Sequence, residues 1–220
     1  MKTTSVKKIL TISLISLFFV QIIYTVVVEP AVANAVGTSA VDPGGVDVTL
    51  TVLSGISISS PGDVALLPTM GVGANSAIGS ATWTVTTNHY NGYTLGVHAS
   101  AAPALVNTTS NSFADYQTVS KIAWSLPASS YQFGFSAFGD TTDTPTATWG
   151  SGGCGTSGIP NVGQKYTGFT GVTDIIIATR ATVTSTSGMN TTVCFAAGQN
   201  GVYAPSGAYK ATITATATES

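Results

Sequence analysis

Residues 81–100 read ATWTVTTNHYNGYTLGVHAS, and the reading of this stretch decides the fold class. Trp83 and Val85 alternate with Thr84 and Thr86; then Tyr93, Leu95, Val97 and Ala99 alternate with Thr94, Gly96 and His98. A period of two places each apolar set on one face of a strand, whereas a helix repeats at three and four. Tyr90-Asn91-Gly92 lies between the two runs. A three-residue loop ending in a left-handed glycine joins antiparallel strands through a bulge. The expected hairpin pairs Val85 with Val97 and Trp83 with Ala99. A two-residue Asn91-Gly92 turn would put Trp83 and Val85 on the face opposite Leu95 and Val97, so burial favours the longer loop.

The same alternation recurs on both sides. Residues 46–57 carry Val46, Val48, Leu50 and Val52 on one face and Asp47, Thr49 and Thr51 on the other, with Ile56 and Ile58 continuing after Ser54-Gly55. A short strand is expected at 64–67 and a polar connection over 101–117. Residues 121–126 and 131–136, separated by Pro127 and its neighbours, read as a second hairpin with an aromatic face. Residues 138–172 are rich in Gly, Thr and Pro and read as long loops. Closing strands are expected at 174–184, 191–197 and 208–218. Leu67-Pro68-Thr69-Met70-Gly71 lacks the threonine of a sorting signal in its fourth place and reads as a loop. Many short strands between turn signals indicate an all-β chain, an antiparallel β-sandwich of immunoglobulin-like or jelly-roll-like kind.

The start of the chain sets the expected location. Lys2, Lys7 and Lys8 precede an uncharged, largely apolar run over 9–28, which Glu29-Pro30 ends. Ala31-Val32-Ala33-Asn34-Ala35 then offers two overlapping small-x-small sites, the pattern of a secretory signal cleaved after Ala33 or, as favoured here, Ala35. The run is also long enough to span a bilayer, so an uncleaved N-terminal anchor is the alternative. The organisation expected is a signal peptide over 1–35, a linker over 36–45 and a single β-sandwich domain over 46–220.

Beyond residue 35 the chain holds Lys121, Lys165, Arg180 and Lys210 against seven aspartates and Glu219, a net charge of −4. Such a surface repels nucleic acid and anionic membrane, which leaves the N-terminal segment, if uncleaved, as the only membrane contact. Charged residues make up only 7% of the chain while 44% is hydrophobic, a composition that folds rather than one that stays disordered. Cys154 and Cys194 are the only cysteines. In an exported protein such a pair is expected to form a disulfide, tethering the Gly-rich segment 150–158 to a C-terminal strand.

Candidate chemistry is sparse. His89 and His98 fall on different faces of the expected hairpin and make no shared metal site. Asp140 and Asp143, in Asp140-Thr141-Thr142-Asp143, are weak candidates for calcium, which needs six to eight oxygens; a solvated loop accounts for them better. No glycosidase-type carboxylate pair, nucleophile elbow or phosphate-binding glycine pattern stands out, so no enzyme and no cofactor is expected. Tyr90 and Tyr93 at a hairpin tip, or Tyr131 with Trp149, are candidates for a flat platform that stacks on a sugar ring. Strand aromatics such as Trp83 and Trp124 more often fill a core.

Trp83-Thr84-Val85, the turn and strand Asn91-Gly92-Tyr93-Thr94-Leu95 and the closing Gly207-Ala208-Tyr209-Lys210-Ala211-Thr212-Ile213 together resemble bacterial secreted β-sandwich surface proteins, nearest to WxL-type cell-wall-associated domains. Trp124-Ser125-Leu126 matches the WxL motif, whereas Trp83-Thr84-Val85 has valine in its third place. The resemblance implies attachment to peptidoglycan, with Trp83 and Trp124 as contact candidates. The function expected is a secreted, non-enzymatic subunit at a bacterial cell surface, associated with the wall or part of a coat or fibre. It would partner cell wall, surface glycan or further copies of itself through edge strands, for which 208–218 or the free 36–50 segment can serve. A carbohydrate-binding adhesin module is the alternative.

Overall fold

The computed structural model describes residues 48–116 and 120–220. The signal segment, its Ala35 cleavage site, the 36–45 linker and the first two positions of the 46–57 strand lie outside the described residues. The chain divides between Val52 and Leu53 into two compact units. In the first, residues 48–52 are exposed and form no strand.

The second unit is built almost entirely of strands. The first five are β1 (Ile56–Ile58), β2 (Ser76–Thr87), β3 (Tyr93–Ala99), β4 (Leu105–Asn107) and β5 (Ser112–Asp115). Next come β6 (Ile122–Ala123), β7 (Ser130–Gly139), a single helical turn α1 (Thr146–Trp149), β8 (Gly155–Thr156), β9 (Ile159–Pro160) and β10 (Lys165–Tyr166). The chain closes with β11 (Ile175–Arg180), β12 (Met189–Asn200), β13 (Tyr209–Lys210) and β14 (Ile213–Glu219). A seven-stranded sheet has the order β1-β2-β12-β7-β5-β4-β13, and a three-stranded sheet the order β11-β3-β14. Both contribute to one apolar core. Neighbours run antiparallel except β5 and β7, which are parallel, a departure from the wholly antiparallel expectation.

The 81–100 stretch is not a hairpin. β2 pairs with β1 and β12, whereas β3 pairs with β11 and β14 in the other sheet. Trp83, Val85, Leu95, Val97 and Ala99 nevertheless all point into the shared core, as the alternation requires. They meet across the two layers rather than along one ladder. Gly92 does take the left-handed conformation expected of it (φ +75°), and its amide closes a turn onto the His89 carbonyl at 2.9 Å. A Cβ there would sit 2.1 Å from the Arg180 carbonyl oxygen, so the crossing also needs glycine for close approach.

The second expected hairpin is likewise divided. β7 lies against β12, with Phe135 opposite Phe195 and Phe133 opposite Ala197, while Ile122 and Ala123 pair with Tyr166 and Lys165. Of the strand expected over 46–57, only Ile56–Ile58 marks a ladder, and 64–67 is reduced to a single bridge from Leu67 to Ile78. The polar connection over 101–117 contains β4 and β5. Asn107 shapes their turn by accepting from the Thr109 and Asn111 amides through Oδ1. Side chains that suit turns hide strands this short from a periodicity argument. The closing 208–218 alternation holds, but as two strands: Tyr209 and Lys210 pair with β4, then β14 joins β3 in the other sheet.

β12 lies between β2 and β7 and is buried on both faces. Val193, Phe195 and Ala197 face the core between the sheets. On the other side Cys194 and Ala196 pack with Tyr116 and Tyr166, beneath Trp124 and Leu126. The Cys154–Cys194 disulfide is formed and fastens the Gly-rich segment to this outer face. Buried Gln164 reinforces the attachment, accepting from Ser136 Oγ at 2.6 Å and donating to the Gly152 carbonyl.

Asp115, at the end of β5, accepts from the Ala104 amide through Oδ1 at 3.2 Å. Burial raises its pKa above the ordinary 3.8, and the Ala104 bond offsets only part of that. The folded state therefore holds the Asp115 proton more tightly than the unfolded chain does. The resulting stability is complete below the unfolded pKa and is lost as pH rises through the raised folded value. Asp115→Asn is expected to remove this slope. Denaturant melts at a series of pH values should show the stability of the native chain, relative to the variant, falling as pH climbs above about 3.8. A constant difference would refute the assignment.

Candidate functional site

The second sheet is three strands wide against seven in the first, so among the described residues part of the inner face of the larger sheet has no strand above it. β14 forms the border. Its one ladder partner among the described residues is β3, which pairs Ala215 with Val97 and Ala217 with Leu95. Ile213, Ala215 and Ala217 face inward and are half-buried, while Thr214, Thr216 and Thr218 are exposed. The half-burial of the inward residues reflects the open space next to them.

That space is a groove of about 1340 Å³. Its floor is the inner face of the large sheet, with Trp83 from β2, Phe195 from β12, Phe133 from β7 and Phe113 from β5. Residues 58–72 form one lip, and residues 203–207 with Ile213 and Ala215 lie opposite. Asp63 and Lys210 are the charged residues that line it. Gln199, 5% exposed, joins the lips: Nε2 donates to the Gly71 and Ala74 carbonyls at 2.9 and 3.1 Å, and Oε1 accepts from the Ala204 amide at 3.1 Å. Nothing in the sequence around Gln199 marks it for this role, because its partners lie over a hundred positions away or across a turn. With apolar and aromatic side chains making up most of the lining and only Asp63 and Lys210 charged, the groove suits apolar side chains rather than a charged ligand.

The aromatic residues singled out by sequence do not converge. Trp83 lies on the groove floor, whereas Trp124 packs on the opposite face of the large sheet, stacked on Tyr116 at 4.5 Å. Tyr90 is 76% exposed at the crossing between β2 and β3 and leans on His89, with ring centroids 5.0 Å apart. Tyr93 is fully buried, and burial pushes its phenol up to about 12. The Tyr90–Tyr93 platform is therefore not formed: strand alternation turns Tyr93 inward. Tyr131 is half-buried, edge-on to Phe113 at 5.3 Å. Trp149 closes α1 inside the core, 5.6 Å from Phe135 and with Lys121 Nζ 4.6 Å from its ring centre, so it presents no face to a sugar either.

The polar candidates are engaged elsewhere. Asp143 is 2% exposed and faces Arg180, whose Nη1 donates to both carboxylate oxygens at 3.2 and 3.0 Å. Asp140 accepts from the Thr142 amide at 2.9 Å, a bond that lowers its pKa. The two carboxylates thus hold a turn and an ion pair; the loop is only partly solvated, with Asp143 turned into the protein. His98 Nδ1 meets Asp174 Oδ1 at 2.7 Å on the outer face of the small sheet. Among the described residues no three His, Cys, Asp or Glu side chains gather as metal ligands would.

Comparison with family models, with curated proteins and with solved structures gives no match to this chain.

Proposed function

We propose that this chain is a secreted, non-enzymatic structural subunit of a bacterial cell surface, associated with the wall or assembled into a coat or fibre. The observation that carries the proposal is the groove alongside β14: among the described residues that strand has no ladder partner on its outer edge, and an apolar-lined space beside such an edge is a surface for contact with another chain. Two sheets over one core support an immunoglobulin-like or jelly-roll-like sandwich, and the N-terminal pattern supports export. The outer face agrees with such a setting. Thr82 and Thr192 share a hydroxyl bond at 2.8 Å, and Thr84 donates to Asn190 at 2.7 Å, so neutral hydroxyls take the place of charge. The WxL-type resemblance makes peptidoglycan the wall component to test first.

The test is sedimentation of the purified chain with isolated cell walls, with light scattering of the protein alone. Co-sedimentation or concentration-dependent assembly is expected. A chain that stays monomeric at high concentration and leaves walls unbound would overturn the proposal.

The exposure of Tyr90 favours one second reading, a carbohydrate-binding module. On that reading Tyr90→Ala abolishes soluble-glycan binding and leaves the melting temperature unchanged, since the ring packs on little else. Binding that survives the substitution removes Tyr90 as the contact.

A further inference from the structure

We infer that the groove beside β14 receives residues 48–53 of a second copy of this chain, inserted as an added strand along the β14 edge that has no ladder partner among the described residues. The inference rests on the structural-subunit reading and supplies its donor and its seat.

The donor is marked by exposure. Val48, Leu50 and Val52 are 91, 86 and 71% exposed, in a segment whose apolar residues alternate with Asp47, Thr49 and Thr51. Such alternation is the pattern of a strand with one buried face, yet residues 48–55 form no strand here. The acceptor presents the complementary set. Apolar side chains line it, and β14 offers a row of backbone groups with Thr214, Thr216 and Thr218 on the outer face. Thr49 and Thr51 of an added strand would continue that hydroxyl row, and threonine pairs across strands are favourable. The groove volume of about 1340 Å³ exceeds the roughly 300–1,000 Å³ of small-molecule sites, as a peptide seat requires.

The position of Ser54 argues for a second copy. Ser54 Oγ donates to Glu219 at 2.7 Å, which fixes the chain at the far end of β14. Both β3 pairings in that sheet are antiparallel. An antiparallel strand added to β14 with Val48, Leu50 and Val52 on the inward face would bring residue 52 beside Ile213, about 20 Å along the strand from Glu219. Two peptide units span at most about 8 Å, so the chain's own segment cannot make this antiparallel pairing. The segment of another molecule can. Because each copy would offer one donor and one groove, and its own donor cannot make this pairing, the contact is head-to-tail and extends into rings or filaments.

The experiment compares the purified full chain with Leu50→Asp by light scattering over a concentration series, with circular dichroism to verify the fold. Leu50 is exposed, so the variant folds, and its assembly is expected to weaken at least tenfold. Thr49→Cys with Thr216→Cys adds a direct readout, as the two positions face each other on the outer side of the added strand and the native chain has no free thiol among its described residues. Oxidation should give disulfide-linked dimers and a ladder on a non-reducing gel. Equal assembly of native and Leu50→Asp chains, or a link formed only within one molecule, would overturn the inference and leave the structural-subunit reading standing. So would a native chain that binds walls as a monomer. A native chain that neither assembles nor binds walls would overturn both.

Discussion

Replacing Cys154 and Cys194 together by alanine lowers the melting temperature by roughly 8–16 °C, the equivalent of about 4 kcal/mol of chain entropy released to the unfolded state. The two cysteines are 40 positions apart, and the loop they close contains β8, β9, β10 and β11. Cys194 is fully buried on the outer face of β12, where it packs with Tyr116, Tyr166 and Ala196. Without the bond, the Gly-rich segment is held chiefly by Gln164 and a few backbone contacts. The same variant should therefore lose hydrogen-exchange protection first over residues 150–166, before the β2–β12–β7 ladders open. Thermal scans and exchange measurements on the two chains test both statements. A shift below 3 °C would show that the disulfide constrains little, and uniform exchange would show that the outer layer does not open by itself.

Arg180→Met is expected to cost about 3–5 kcal/mol, because it leaves the Asp143 carboxylate buried without its cation. Arg180 also donates through Nε to the Val183 carbonyl at 3.1 Å, and the Asp143 carbonyl accepts from the Thr179 amide at 2.8 Å. The ion pair thus pins the 140–144 turn to the end of β11. Asp143→Leu combined with Arg180→Met should recover much of the loss, since an apolar pair of similar volume leaves no charge unpaired. Denaturant unfolding of the two single variants and the double variant forms the cycle. Additive losses would mean that the two side chains act independently and that the geometry overstates their coupling.

Local pattern determined which side chains face inward. Trp83, Val85, Leu95 and Val97, and the alternation through Ile213, Ala215 and Ala217, follow from a period of two and the removal of apolar surface from water. The disulfide was legible for a different reason: two cysteines leave one pairing to consider. The left-handed Gly92 was legible from turn chemistry alone. The buried states of Trp149 and Tyr93 were harder to see, because an aromatic ring at the end of a loop or strand serves a core and a surface equally well. The β4–β5 turn was hidden by its own polarity.

The choice of strand partners belongs to the tertiary structure. Pairing β2 with β3 in one sheet and facing them across two sheets bury the same side chains, so alternation and hydrophobicity cannot separate the two arrangements. The close approach of Gly92 to the Arg180 carbonyl and the fit of β12 between β2 and β7 involve residues far apart in sequence. The groove has the same origin. It exists because a three-stranded sheet faces a seven-stranded one, and sheet width is set by which distant strands pair. Local sequence thus determined the two faces of each strand, while only long-range packing decided where the groove lies between them.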